Sequence, residues 1–240
     1  MKRFTYGFIM VIMCLILFSC ENNNTQQIGY DSQTDKTDEG YFHSFDETVF
    51  TDVSHVNSHV TIYYPRIIDD SVEAARANQL IYEKITSYPV QFYGNDYMDL
   101  TLEISYDLFV WQDYVSIVFK GKGNVLSAAY PNSHYFTMNF SLDSYEPVRL
   151  QDLYNVNTAF VELFKNALTQ QYDKQKVQFF EAEYTNIQIL EMLATCDEDG
   201  SFCYSSFSEH KIVVSVPIRH AGGDYLEVAI PIIWLEECKR

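Results

Sequence analysis

Residues 98–110 alternate apolar and polar side chains more regularly than any other part of the chain, and this pattern is the strongest constraint on its fold. The apolar set is Leu100, Leu102, Ile104, Tyr106, Leu108 and Val110, and the polar set is Asp99, Thr101, Glu103, Ser105 and Asp107. Successive side chains of a strand point to opposite faces. The alternation therefore predicts a strand in a sheet with one packed face and one face in water.

Two further strands are expected in the same sheet. Residues 111–113 form a turn, and the next strand returns as the second arm of a hairpin. Another strand is predicted at 134–142, followed by a turn at 143–147, where Asp, Ser and Pro favour chain reversal. The apolar members are Val115, Ile117 and Phe119 in the first of these strands and Phe136, Met138, Phe140 and Leu142 in the second.

Helices are interspersed with these strands. Helical spacing predicts helices at 70–88, 157–172 and 183–194, and alternation predicts strands at 59–64, 212–216 and 226–230. The first helix has a capping box with Asp70 and Glu73, and Pro89 is expected to end it. Hairpins and separate helices, without βαβ alternation, favour the α+β class. We expect an antiparallel sheet or sheets with helices packed on one face, and two halves that form one compact unit.

Residues 1–19 have the features of a bacterial lipoprotein signal peptide. Lys2 and Arg3 precede an apolar run at 8–18, which is shorter than the roughly 20 residues of a spanning helix. The run ends in Leu-Phe-Ser-Cys20, which resembles a lipobox and implies cleavage before Cys20 and lipidation of its thiol. The protein is then held at a membrane, in the extracytoplasmic part of the cell envelope. The alternative is an ordinary secretory signal in which Cys20 is incidental.

Residues 20–44 contain almost no apolar side chains and are expected to form a disordered tether. About 200 residues follow, which is enough for one domain or for two halves in close contact.

The chain is strongly acidic, with a formal net charge of −17. Without residues 1–19, which contain two of the 16 basic residues, the charge becomes −19. This excess disfavours nucleic acid and anionic lipid surfaces as ligands. It favours cationic partners, although acidity also keeps proteins soluble.

Three cysteines remain after Cys20. Cys196 and Cys203 flank a turn-rich loop, and a disulfide between them is expected if the compartment is oxidising. A metal site is disfavoured because no second pair and no histidine lies at ligand spacing. Cys238 is left without a partner and is either free or intermolecular.

The sequence contains no motif that names a reaction. A phosphate-binding loop, an H-E-x-x-H zinc motif and a G-x-S-x-G elbow are all missing from it. His55 and His59 are four apart, but His59 opens a predicted strand, so no metal site is expected. His134, near Asp143 or Asp152, offers a base, and the carboxylates at 31–52 and 96–113 offer a glycosidase pair. We expect His134 to lie in an exposed turn and the carboxylates to be solvated, with no catalysis, no metal and no cofactor.

Two stretches carry a resemblance to a known family. The first runs from Asn139-Phe-Ser-Leu-Asp143 to Leu150-x-Asp-Leu-Tyr154. The second begins with Lys211-Ile-Val-Val-Ser-Val and continues through Ala221-Gly-Gly-Asp224 to Val228-Ala-Ile-Pro231-Ile-Ile-Trp-Leu235. Together they resemble the bacterial extracytoplasmic domain of unknown function found in the anti-sigma factor RsiV and beside the polysaccharide deacetylase PdaC. The resemblance assigns 126–240 to that domain and 45–125 to the half that precedes it.

The resemblance points to six candidate binding residues: Tyr130, Asn132, His134, Asp143, Asp152 and Asp224. The family's G-G-A-H-P-N motif falls on residues 127–132, where both glycines and the histidine are replaced. A role tied to that histidine is therefore not carried over.

The resemblance implies a binding protein. RsiV is a receptor for lysozyme, which is strongly cationic, so the implied ligand is lysozyme, another protein or a cell-wall component. The alternative is a wall-directed hydrolase that uses a carboxylate or His134. A Ser/His/carboxylate cluster in one cleft would favour the enzyme, and an open sheet would favour binding.

Overall fold

A computed structural model of the chain describes residues 45–50 (backbone alone), 59–94, 100–125 and 128–240. All of them belong to one compact unit, Tyr41–Arg240. The signal peptide, Cys20, the 20–44 tether and His55 lie outside the described residues, so what the sequence indicates about them stays a prediction.

The described elements follow one another in this order: β1 (Phe45–Phe50), β2 (His59–Ile67), α1 (Val72–Tyr93), β3 (Leu100–Trp111), β4 (Tyr114–Val125), β5 (Asn132–Ser141), α2 (Leu150–Leu153), α3 (Thr158–Gln171), α4 (Lys174–Glu183), α5 (Asn186–Ala194), β6 (Tyr204–Ser208), β7 (Lys211–Pro217) and β8 (Tyr225–Pro231). A 3₁₀ helix, Ile232–Cys238, follows β8. The α+β class predicted from the sequence is confirmed.

The first sheet has the strand order β1-β2-β3-β4-β5. Adjacent strands in this sheet are antiparallel, except that β2 and β3 are parallel and are joined by α1. The chain therefore contains a βαβ unit that the sequence analysis did not expect. The β3–β4 hairpin and the place of β5 beside β4 agree with the prediction.

Helix α1 covers one face of this sheet. Its buried side chains Ala74, Ala77, Ile81, Ile85 and Tyr88 form the predicted stripe. The helix is capped by Ser71, whose Oγ accepts the N–H of Ala74, rather than by Asp70. It also continues past Pro89 to Tyr93, because Phe92 and Tyr93 pack against the sheet and this packing outweighs the hydrogen bond that proline cannot donate. No helix within the described ranges is long and apolar enough to cross a bilayer.

The second sheet has the antiparallel order β6-β7-β8 and packs with α3 and α5 around a separate core. The core includes Phe160, Phe164 and Phe180 from the helices and Val214 and Val228 from the strands. Strands β7 and β8 and helices α3 and α5 were predicted. Strands β1 and β6 and helix α4 were not.

The two sheets meet through polar side chains. The expectation of a face in water holds for β3, where Glu103 and Asp107 are exposed, but not for β5, where Thr137 and Asn139 are buried against β6. Both side chains donate hydrogen bonds to the carbonyl of Ser205, at 2.6 Å and 3.0 Å. Side chains of the first sheet thus satisfy backbone groups on the free edge of β6, where unpaired groups would carry a cost.

Candidate functional site

Four of the six candidate binding residues gather at one end of the first sheet: Tyr130, Asn132, His134 and Asp224. The turn before β8 lies against the start of β5, where a carboxylate oxygen of Asp224 accepts the backbone N–H of Ser133 at 2.6 Å. Burial raises the pKa of Tyr93 to about 12, and the nearby Asn132 side chain opposes this rise. The remaining two candidates, Asp143 and Asp152, lie elsewhere.

His134 is the centre of this group and is only 1% exposed. Its Nδ1 lies 3.0 Å from the hydroxyl of Tyr88, and its Nε2 lies 2.7 Å from the hydroxyl of Tyr93. The Phe92 ring packs against it with the ring centres 4.5 Å apart. Burial lowers the pKa of His134 to about 4, although Asp224 acts in the opposite direction. The expectation of an exposed turn histidine is therefore wrong, because three aromatic side chains of α1, those of Tyr88, Phe92 and Tyr93, enclose the ring.

The solvent-facing part of the group is formed by Tyr130, His220 and Asp224. Tyr130 is 70% exposed, and its ring centre lies 6.3 Å from that of His220. Nδ1 of His220 is 2.6 Å from an oxygen of Asp224. Asp224 has φ 72°, a left-handed conformation that its short polar side chain tolerates. The carboxylate orients the exposed imidazole and ties it to β5 through Ser133.

Asp143 and Asp152 do not join His134. Asp143 lies in the exposed turn beyond the far end of β5, so the strand length separates it from His134 by roughly 25 Å. Asp152 accepts hydrogen bonds from the backbone and the guanidinium of Arg149. Burial acts to raise the pKa of Asp152, but these bonds lower it on balance. The acid–base group considered for a hydrolase, with His134 as base, is not assembled.

A cleft of about 1080 Å³ opens between α1, residues 137–140 of β5, residues 147–149 and residues 197–199. We refer to it as the α1 cleft. None of the six candidate residues lines it, and the sequence analysis did not identify it. Its walls come from three parts of the chain, 80–91, 137–149 and 197–199, which are more than 40 residues apart, and no motif connects them.

Asp197 holds the walls of the α1 cleft together. Its carboxylate accepts the backbone N–H groups of Ser205 at 2.7 Å and of Leu150 at 3.0 Å, and the Ser205 hydroxyl at 2.5 Å. Burial raises the pKa of Asp197 to about 6, against the effect of these hydrogen bonds. Asp197 thereby joins the loop after α5 to β6 and to the start of α2.

Two largely buried polar side chains lie beside the α1 cleft. The Asn139 side chain donates to Ser205, but its buried Oδ1 has no hydrogen-bond partner within the described part of the chain. The Lys84 side chain is 15% exposed, and its Nζ lies 4.0 Å from Asp199 and 5.8 Å from the ring centre of Tyr204. Burial lowers the pKa of Lys84, and Asp199 and Asp197 oppose this effect.

The three cysteines of the folded unit are buried free thiols. The disulfide predicted between Cys196 and Cys203 is therefore absent from the structure. Burial raises the pKa of the Cys196 thiol and the Cys203 side chain raises it further, so the two side chains lie close together. Both lie in the core between the helices and the second sheet, so apolar burial rather than a covalent link accounts for their position. Cys238 belongs to the same core.

Many described cations have a carboxylate partner, whereas several exposed carboxylates have no described cation nearby. Seven lysine and arginine side chains lie within 4.0 Å of a carboxylate: Arg76, Lys84, Lys120, Arg149, Lys165, Arg219 and Lys239. Exposed carboxylates such as Asp107, Asp113 and Asp143 have no such cation in the described ranges. No group of three His, Cys, Asp or Glu side chains converges to hold a metal ion among the residues described.

Comparison with known proteins identifies the fold but not an activity. No protein-family model and no curated protein matches the sequence. A DUF3298 family protein from Pseudomonas aeruginosa PAO1 is similar in structure, with a TM-score of 0.51 and 11% sequence identity, over 82% of this chain and 94% of that one. A member of the same family from Bacteroides fragilis NCTC 9343 has a TM-score of 0.45 and 13% identity, again over 82% and 94%. The first comparison shows that the chain has the fold of a DUF3298 family protein.

Proposed function

We propose that this protein is a lipid-anchored binding protein of the bacterial cell envelope, without catalytic activity, whose ligand is a cationic protein. The observation that carries the proposal is the uncompensated negative surface. Many described cations are held in ion pairs, while exposed carboxylates on β3, in the β3–β4 turn and after β5 are not. A surface of this kind attracts a positively charged partner and speeds its association.

The exposed side of β3 supplies a contact surface next to these charges. Glu103, Ser105 and Asp107 are exposed along it, and Phe109 is 40% exposed. Glu103 and Ser105 also line a groove of about 420 Å³, together with Lys120, Lys122 and Tyr225. Aromatic side chains are enriched in protein interfaces and are surrounded there by a polar rim, so this open strand face with Phe109 beside polar residues supports a binding role.

The enclosure of His134 supports a role without catalysis. Both ring nitrogens are occupied by tyrosine hydroxyls, and the ring is shut off from solvent. A general base must reach the proton that it removes, which this side chain cannot do without rearrangement.

Lysozyme is the partner that the resemblance to the RsiV domain suggests. It is small, extracellular and strongly cationic, which matches a mature chain with a formal charge of −19. The lipobox-like sequence before Cys20 supports anchoring outside the cytoplasm, where lysozyme acts.

The test is a titration of purified residues 41–240 with lysozyme at low and moderate salt. We expect an association rate that falls as salt rises, because screening shortens the reach of the charges. A variant in which Asp107, Asp113 and Asp143 are changed to asparagine should associate more slowly. A control with Arg76→Gln and Glu146→Gln removes one ion pair and leaves the net charge unchanged. Absence of binding at low salt would refute the lysozyme assignment.

A further inference from the structure

We propose that Cys196 and Cys203 are a redox-sensitive pair, whose thiols join in a disulfide when the chain folds in the presence of an oxidising disulfide compound. The structure shows the pair in its reduced form, as two free thiols. The proposal is independent of the proposed function, because it concerns the folded unit and not its ligand. It is carried by the placement of the two residues on either side of one short loop.

The backbone brings the two cysteines face to face. Cys196 follows the end of α5, Cys203 precedes β6, and residues 197–202 lie between them. The N–H of Asp197, the residue after Cys196, donates to the carbonyl of Cys203 at 3.0 Å. Standard bond lengths and angles then place the two Cα atoms no more than roughly 8 Å apart. Cysteines in disulfides have Cα atoms about 4.4–6.8 Å apart, so this turn is compatible with a bridge.

The two side chains also lie together in the core. Cys196 is 0% exposed and Cys203 is 1% exposed. Burial raises the pKa of the Cys196 thiol, and the neighbouring Cys203 side chain adds to this rise. Cys238 belongs to the same core, but burial and Glu237 raise the pKa of its thiol, without a contribution from another cysteine. The structure therefore selects one pair among the three thiols of the folded unit.

The reaction is thiol–disulfide exchange with a small disulfide such as oxidised glutathione. The thiolate of one cysteine attacks a sulfur of the oxidant, so that a mixed disulfide forms and one glutathione thiolate leaves. The thiolate of the second cysteine then attacks the cysteine sulfur of the mixed disulfide and releases the second glutathione. Two protein thiols are oxidised, one external disulfide is reduced, and the two protons pass to the released thiolates.

Burial determines when this exchange takes place. The thiolate is the reacting form, and in the folded protein the Cys196 thiol is enclosed and its pKa is raised. An oxidant must also reach one of the two sulfurs, which the packed core excludes. Exchange therefore belongs to the unfolded or partly folded chain. Folding afterwards protects whichever form is present, the dithiol or the disulfide.

The disulfide closes the loop that forms one wall of the α1 cleft, since residues 197–199 lie between the two cysteines. Packing already holds the side chains together, so the bridge requires little rearrangement of the folded state. A bridge restricts the unfolded chain and thereby stabilises the folded one. For a folded unit of about 200 residues we expect the melting temperature of the oxidised protein to exceed that of the reduced protein by about 5 °C or more.

The experiment refolds the full-length protein from guanidinium chloride in detergent, once with reduced and oxidised glutathione and once with reductant alone. Peptide mapping of the alkylated, unreduced protein should identify a Cys196–Cys203 bridge in the first sample and an alkylated Cys238 in both. Thermal unfolding should show the expected difference between the two samples. The same oxidant added to the folded, reduced protein should form the bridge about tenfold or more slowly than it forms during refolding.

Cys196→Ala and Cys203→Ala should each lose the difference in melting temperature between the two samples, whereas Cys238→Ala should keep it. Each variant is compared with its own reduced form, so the cost of the substitution to core packing does not enter the comparison. The proposal is overturned if the bridge involves Cys238, if the pair stops at a mixed disulfide with glutathione, or if the oxidised and reduced proteins melt at the same temperature. Oxidation of the folded protein as fast as during refolding would overturn the assigned timing.

Discussion

The hydroxyl of Tyr93 lies 2.7 Å from Nε2 of His134, so the last residue of α1 is joined directly to β5. Tyr88, one and a half turns earlier, reaches the other ring nitrogen. A neutral imidazole has one donor and one acceptor, so one tyrosine donates to His134 and the other accepts from it. The pair fixes the C-terminal end of α1 on the sheet, beyond Pro89.

The first prediction concerns acid stability. Burial lowers the pKa of His134 from its ordinary 6.5 to about 4. Between these values the unfolded chain takes up a proton that the folded chain does not. The contribution of His134 to folding stability is therefore fully present above about pH 6.5 and is lost as the pH falls from about 6.5 to about 4. The loss from this side chain is about 3 kcal/mol at 1.36 kcal/mol per pKa unit. Urea unfolding at a series of pH values measures it.

The matching variant is His134→Gln, which cannot take up a proton in this range. It should be less stable than the unmodified protein at pH 7, because the tyrosine bonds are altered. The difference between the two proteins should shrink as the pH falls toward 4. A difference that stays constant from pH 7 to pH 4 would contradict the assignment of this acid sensitivity to His134.

The second prediction concerns Gly123, which lies opposite Asn132 in the sheet. A Cβ at this position would collide with the Tyr93 hydroxyl and approach His134 Nε2 to 2.7 Å. We expect Gly123→Ala to cost about 1–3 kcal/mol, because the change overfills a packed site. Lys122→Ala, at the exposed neighbouring position of β4, is the control and should change stability little. Equal unfolding midpoints for the two variants would show that the site has room.

The third prediction concerns Asp197. Asp197→Asn replaces one acceptor oxygen with a donor that faces the N–H groups of Ser205 or Leu150. We expect a loss of about 2–3 kcal/mol in the free energy of unfolding, because bonds to a charged acceptor are lost and a donor is left unpaired. Asp199→Asn makes the same chemical change at a fully exposed carboxylate two residues away. The prediction fails if both variants unfold at the same denaturant concentration.

The fourth prediction concerns membrane attachment. If Cys20 is lipidated, Cys20→Ala should lose incorporation of labelled fatty acid and should appear as soluble or uncleaved protein. Metabolic labelling followed by membrane fractionation measures both effects. Cys238→Ala is the control, because this thiol is buried in the folded unit. Unchanged labelling and membrane retention of Cys20→Ala would refute the lipoprotein assignment.

Much of the fold follows from local pattern. The alternation at 98–110 predicts the strand that the structure has at Leu100–Trp111, and the apolar stripe at 74–88 predicts the buried face of α1. These elements were predictable because one face of each is buried, which imposes a period on the sequence.

The missed elements lack such a period. Strand β6, Tyr204–Ser208, is buried on both sides and contains three serines, so neither alternation nor apolarity distinguishes it. Helix α4, Lys174–Glu183, buries only Val177 and Phe180 and has a mostly polar surface. Pro89 predicts a helix end that the structure does not have. The helix continues past it because the aromatic residues that follow pack against the sheet.

The sites were less predictable than the fold. Three other candidate residues, Tyr130, Asn132 and Asp224, lie at the same end of the sheet as His134, because the turn before β8 reaches the start of β5. The α1 cleft could not be foreseen, because Lys84, Asn139 and Asp197 come from a helix, a strand and a loop whose proximity is set by tertiary packing. A polar residue such as Asn139 on a predicted strand is expected to face water. Only the structure shows that Asn139 is buried against β6.

The hydrogen bonds along the free edge of β6 make the two sheets a single cooperative unit. The Ser205 carbonyl depends on Thr137 and Asn139, and the Phe207 N–H donates to the Ser116 hydroxyl at 2.8 Å. Separation of the sheets would leave these groups without hydrogen-bond partners, so we expect neither half to fold alone. A fragment cut at residue 125 would leave β4 without its neighbour β5, and amide exchange from both cores should proceed through one common opening event.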